Sequence, residues 1–119
     1  MGVQYEKVTL AVSAGGAATA YTARPLSGVL LGIWYEVGDL DTGADIVVTQ
    51  AESGAPVDTI TNIAANAWRK AMIPGFTTAG AATTAPVSEP MPVNGPLKFV
   101  VAQGGASKTG WAHVFSEHR

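Results

Sequence analysis

Val29-Leu30-Leu31-Gly32-Ile33-Trp34-Tyr35-Glu36-Val37 decides the fold class. The run is β-branched and aromatic, and it suits a central strand buried on both faces. Gly32 inside it marks a bulge or a close approach by another backbone. On the C-terminal side, Asp45 to Gln50 alternates, with Ile46 and Val48 facing one way and Val47 and Thr49 the other. Glu52-Ser53-Gly54-Ala55-Pro56 has turn chemistry, and Val57 to Ile63 returns, so 45–63 reads as a hairpin. On the N-terminal side, Val8, Leu10 and Val12 alternate with Thr9 and Ala11 as in a half-buried strand. Ser13 to Gly16 is a turn, Ala18 to Ala23 is a weak strand centred on Tyr21, and Arg24 to Gly28 breaks it.

Beyond the hairpin the period weakens. In residues 64–73, Ile63, Ala67 and Ala71 have helical spacing, while Trp68, Lys70 and Met72 alternate. The neighbouring strands favour a strand here. Five of the seven prolines then fall between Pro74 and Pro96, around the low-complexity run Thr77 to Ala85. Segment 74–96 is expected to be an extended loop or an arm laid across a neighbour; a pre-extended chain loses less entropy on docking. Leu97 to Gln103, the turn Gly104 to Gly110 and Trp111 to Ser116 read as a second hairpin. The expected architecture is all-β. It is one antiparallel β-sandwich or jelly-roll-like domain over 1–119, with seven or eight short strands and a long Pro-rich loop.

The composition sets limits on function. Hydrophobic residues make up 47% of the chain but charged residues only 13%, against about 25% in ordinary domains. A chain this poor in charge folds, yet it has little with which to solvate its surface. It suits a subunit that hides surface against copies or partners. Net charge is −2 without a basic run, which argues against nucleic-acid binding. Pro25 to Trp68 contains no Lys or Arg but six acids; the remainder holds all seven basic residues and three acids. That division suggests an acidic face meeting a basic face on a neighbour. There is no cysteine, so disulfides and thiolate metal sites are excluded. The N-terminus lacks the pattern of a signal peptide, and no apolar run reaches membrane-spanning length. Synthesis in a cytosol without membrane association is expected.

The search for chemistry finds no catalytic, cofactor or metal residues to nominate. His113 is flanked on its own face by Trp111 and Phe115, and no serine or carboxylate is placed by sequence to partner it. It reads as a packed or hydrogen-bonded strand histidine. His118 lies next to the last residue and is expected to fray. The loop Asp39-Leu40-Asp41-Thr42-Gly43-Ala44-Asp45 half matches a calcium loop, but Gly43 takes the fifth position and the closing Glu is missing. Gly104 to Gly110 lacks the phosphate-loop spacing. The aromatics Trp34, Trp68, Trp111, Tyr35, Phe99 and Phe115 are expected mostly to pack between sheets. Trp34 and Tyr35 are adjacent and point to opposite faces, which frees at least one for an interface.

The closing run Leu97 to Gly110 with Trp111-Ala112-His113-Val114-Phe115 resembles the last hairpin of small β-rich virion proteins of tailed bacteriophages. Gly28 to Glu36 with Asp45 to Thr49 is similar to their middle strands. Segment 74–96 matches no pattern of that kind. The resemblance implies a capsid decoration, or cement, protein without catalytic residues. Such a protein binds the outside of the phage head as a dimer or trimer, clamps major capsid protein subunits and resides in the virion. Two alternatives remain open: a head–tail joining or tail structural protein, and a carbohydrate- or ligand-binding β-sandwich.

Overall fold

A computed structural model describes residues 2–70, 72–74 and 88–118. Among these residues the elements are strands β1 (Gly2–Ala11), β2 (Ala18–Tyr21), β3 (Leu26–Glu36), β4 (Ala44–Gln50), β5 (Pro56–Ile63), β6 (Ala67–Lys70), β7 (Met72–Pro74), β8 (Ser88–Gly95), β9 (Leu97–Ala102) and β10 (Thr109–His118). They form two antiparallel sheets. Sheet I has six strands in the order β1-β10-β3-β8-β7, with β6 also pairing β3; sheet II has four in the order β2-β9-β4-β5. The all-β expectation holds, and two antiparallel sheets around one apolar core are compatible with a β-sandwich. Successive strands repeatedly change sheet, and among the described strands only β4–β5 and β7–β8 are paired neighbours in sequence.

The central segment lies where the sequence reading puts it. β3 pairs β10 along one edge, and β8 and β6 in turn along the other. It is not buried on both faces, however. Leu30, Ile33 and Tyr35 face the core, while Leu31 and Trp34 are exposed. The cause is a bulge: Phe115 pairs Gly32 and Ser116 pairs Leu30, so Leu31 is the extra residue. Strict alternation from Leu30 would turn Trp34 inward; the bulge turns Ile33 and Tyr35 inward instead. Gly32 meets both expectations for it, since a Cβ there would lie 2.9 Å from the Arg69 carbonyl oxygen and 2.9 Å from the Trp68 ring.

The 45–63 hairpin is present as β4 and β5. Residues 67–70 and 72–74 are strands, as favoured over a helix. The closing hairpin is not present. β9 pairs β2 and β4 in sheet II, whereas β10 pairs β1 and β3 in sheet I. The link between them is a corner, not a tight turn: Gln103, Gly105 and Ser107 all take positive φ. Alternation is the same for two strands that pair and two that face each other across a core, so periodicity could not separate the cases. The proposed loop 74–96 is also corrected at its C-terminal end. Residues 88–95 form β8, which pairs β3 through Leu26↔Gly95 to Leu30↔Met91. Residues 75–87 lie outside the described residues.

The core fills the space between the sheets. Sheet I contributes Val8, Leu10, Leu30, Ile33, Tyr35 and Val114, and sheet II contributes Ile46, Val48, Leu97, Phe99 and Val101. The small residues of β10, Ala112 and Ser116, point inward. One end of the molecule is closed by backbone bonds between loops: Gly104 N donates to Gly16 O (2.9 Å), Ser107 N to Ser13 O (3.1 Å) and Asp41 N to Gly104 O (3.1 Å).

Candidate interaction face

The residues that alternate away from the core of sheet I build an aromatic surface. On β10 these are Trp111, His113 and Phe115; on β1, Tyr5 and Lys7; on β3, Trp34 and Glu36; on β6, Trp68. The pairing register sets them in rows, with Val3–Glu117–Val29, Tyr5–Phe115–Gly32–Lys70, Lys7–His113–Trp34–Trp68 and Thr9–Trp111–Glu36 running across the strands. Trp34 is 36% exposed, Trp68 47% and Tyr5 48%. The expectation that the aromatics mostly pack between the sheets is thus corrected: of the six named, only Tyr35 and Phe99 are core residues.

These rings touch one another. The Tyr5 and Phe115 centroids are 5.1 Å apart, and Trp68 meets Phe115 edge-on at 5.4 Å. Trp68 reaches Phe115 because its indole lies over Gly32, where a side chain would stand in its way. The stripe crosses β1, β10, β3 and β6. Contiguous exposed apolar surface of this kind marks an interaction site more often than scattered apolar residues do.

Polar groups are set into the stripe. His113 sits between two partners: its Nδ1 lies 2.6 Å from the Tyr5 hydroxyl, and its Nε2 lies 2.9 Å from Glu36 Oε1. In the neutral ring this geometry is met by Tyr5 donating to Nδ1 and Nε2–H donating to Glu36. His113 is a hydrogen-bonded strand histidine, as expected, but it does have a carboxylate partner. Glu36 is 77 residues away in sequence and reaches it through the β3–β10 register. No local spacing could have signalled that contact. Lys7 Nζ stands 5.1 Å from the Trp111 ring centroid, a cation–π distance. His118, expected to fray, ends β10 opposite Gly2.

The acidic loop is committed elsewhere. Asp39 Oδ1 accepts from Thr109 N (2.7 Å), Asp41 pairs Lys108 (2.8 Å), and Asp45 Oδ1 accepts from Asn62 N (2.9 Å). The carboxylates take separate partners, and among the described residues no group of three His, Cys, Asp or Glu could hold a metal ion. Calcium is therefore expected to leave the unfolding midpoint unchanged; a calcium-dependent rise that Asp41→Asn abolishes would show that the loop rearranges around the ion. The division into acidic middle and basic ends is also used partly within the chain. Asp58 pairs Arg69, Asp41 pairs Lys108 and Glu36 meets His113.

The outer face of sheet II differs in character. Thr19, Val100, Val47 and Thr59 form one row across β2, β9, β4 and β5. Tyr21, Lys98 and Thr49 form the next, and Asp45 lies opposite Ala102 beyond the first, so this face is a mainly Val/Thr surface with Lys98 and Asp45 on it. No helix among the described residues is long and apolar enough to cross a membrane. No family model matches the sequence, and no curated protein matches it.

Proposed function

We propose that the protein is a structural virion subunit that decorates an assembled phage head and stabilises it. The observation that carries this reading is the surface of the two sheets. One broad face carries a connected patch of exposed aromatic rings with charged residues around it, and the other is mainly Val and Thr. A subunit held between neighbours uses a contiguous patch of exposed aromatic rings of this kind. The strand order adds support at the level of fold. β1-β10-β3-β8 over β2-β9-β4-β5 reads as the two four-stranded sheets of a jelly roll, with β6 and β7 as additions, and jelly rolls recur in viral capsid proteins. That part of the argument is analogy of fold.

Lattice binding explains how weak contacts suffice. A protein that binds only the assembled shell stabilises it by mass action, and many copies multiply modest site affinities. The test is to mix purified protein with decoration-free shells and measure bound copies per shell and the temperature at which the shell opens. Saturable, stoichiometric binding with a raised opening temperature is expected. No binding at any salt concentration would sink the reading.

A second reading has one observation in its favour. Jelly rolls also include lectins, and the exposed Trp34 and Trp68 are directly opposed across β3 and β6, as a sugar-stacking platform requires. Saturable glycan binding lost in Trp68→Ala would favour it over the shell.

A further inference from the structure

We infer that the free edge of β1 takes an added strand, an extended segment of the shell subunit that continues sheet I; the inference rests on the decoration reading. In an antiparallel pair, the backbone groups of successive residues point alternately toward the partner strand and away from it. β1 pairs β10 without a shift from Gly2↔His118 to Ala11↔Thr109, and Val12 N donates to Lys108 O (2.9 Å), next in that register. The even-numbered residues of β1 therefore bond to β10. The N–H and C=O groups of Val3, Tyr5, Lys7, Thr9 and Ala11 point away, along an edge to which no other described strand pairs. Among the described residues, no loop backbone bonds to them either.

The other edges among the described residues are closed or short. On β8, Gln50 takes the place of a pairing strand: its Nε2 donates to Pro92 O (3.2 Å) and its Oε1 accepts from Asn94 N (3.3 Å). On β5, Thr59 N donates to Asp58 Oδ1 (2.9 Å), and Thr59 O accepts from Arg69 Nη2 (3.4 Å). Asn62 then leaves the extended conformation, with φ 54°. β2, β6 and β7 have four residues or fewer. β1 has ten, with neither a proline nor a bulge. Folded proteins ordinarily blunt such an edge, because it is a template for pairing with another chain.

A ladder of free N–H and C=O groups is matched by another extended backbone. The edge also borders the aromatic patch. Tyr5 belongs to both, and Val3, 65% exposed, stands two residues along on the same side. A strand with apolar residues at alternate positions sets them beside Val3 and Tyr5. Lys7 is the one charge among the outward side chains of β1, so an acid opposite it completes the match. A second copy fits poorly. Two β1 edges paired antiparallel from Val3 to Ala11 put Lys7 directly opposite Lys7, and like charges so placed destabilise the pair. A strand of a different chain meets no such conflict.

Thr9→Pro removes an outward N–H and sets the proline ring in its place, while the bonds to β10, made by its neighbours, remain. Thr9→Val changes the same side chain and keeps the N–H. The proline variant is expected to bind decoration-free shells about tenfold or more weakly than the valine variant. Unfolding midpoints check that both keep the fold. Hydrogen–deuterium exchange of the wild-type chain, free and shell-bound, needs no variant. The Tyr5, Lys7 and Thr9 amides are expected to exchange fast when free and slowly when bound. Shell binding without that protection, or equal binding by the two variants, overturns the inference and leaves the decoration reading standing. Amides already protected in the free chain overturn it too, and protection that rises with concentration assigns the edge to a second copy. A wild-type chain that binds no shell ends both.

Discussion

Phe99→Ala is expected to lower the free energy of unfolding by about 3–5 kcal/mol, the usual range for removing a buried aromatic ring. Phe99 is fully buried on β9, whose partners β2 and β4 lie on either side, so the space it vacates is walled by sheet and cannot collapse easily. Phe115→Ala is the control. It removes the same atoms from the outer face of sheet I, where Phe115 contacts Tyr5 and Trp68. The expected loss is about 1 kcal/mol, the scale of aromatic pair contacts. Urea unfolding of both variants gives the comparison. Equal losses would mean that the two faces of sheet I have been assigned the wrong way round.

That comparison also marks where the sequence is readable. Alternation in β4 and β9 places Ile46, Val48, Leu97, Phe99 and Val101 on one face, and all five are core residues. The 45–63 hairpin was legible for the same reason, aided by the turn chemistry of Glu52 to Pro56. The aromatic face was not. In β10 the period-two pattern is clear, but its two faces carry Trp111, His113 and Phe115 against Ala112, Val114 and Ser116. Hydrophobicity alone assigns the larger side chains to the core. The structure does the opposite: Ala112, Val114 and Ser116 are buried, and the three larger side chains lie on the outer face. In β3 the bulge at Leu31 breaks the phase between Leu30 and Trp34. Gly32 signalled a bulge, but a glycine does not say which way the phase moves.

Long-range contacts were illegible for a different reason. The Glu36–His113–Tyr5 chain joins three strands that are adjacent only in the fold. The same is true of Tyr35, Asp58 and Arg69. Tyr35 on β3 donates to Asp58 Oδ2 (3.0 Å) on β5, and Arg69 on β6 donates to Asp58 Oδ1 (2.8 Å). This clasp ties sheet I to sheet II. The sequence marked Asp58 only as one of six acids in a stretch without basic residues. Its roles follow from topology, which sets a sheet II carboxylate between a phenol and a guanidinium of sheet I.

The clasp has a consequence at high pH. Burial, followed by the adjacent Asp58 carboxylate and its hydrogen bond, pushes the Tyr35 phenol far above its ordinary value near 10; Arg69 opposes this weakly. The folded state therefore keeps the Tyr35 proton where the unfolded chain releases it. Below pH 10 both states are protonated and the shift costs nothing. Above pH 10 ionisation stabilises the unfolded chain alone, and stability falls by about 1.4 kcal/mol for each further pH unit from this residue. Tyr35→Phe removes that slope. It also removes one hydrogen bond to a charged acceptor, a loss on the order of 1.5–3 kcal/mol at neutral pH. The variant should therefore begin as the less stable protein, and the two stability curves should converge above pH 10 and cross near about pH 11–12. Groups common to both proteins, including Lys108 with its own upward shift from Asp41, cancel in the difference. Urea unfolding of both proteins from pH 7 to 12 gives that difference directly. Curves that stay parallel throughout would mean that Tyr35 ionises in the folded protein as readily as in the unfolded chain, and that its hydroxyl is not sealed between the sheets.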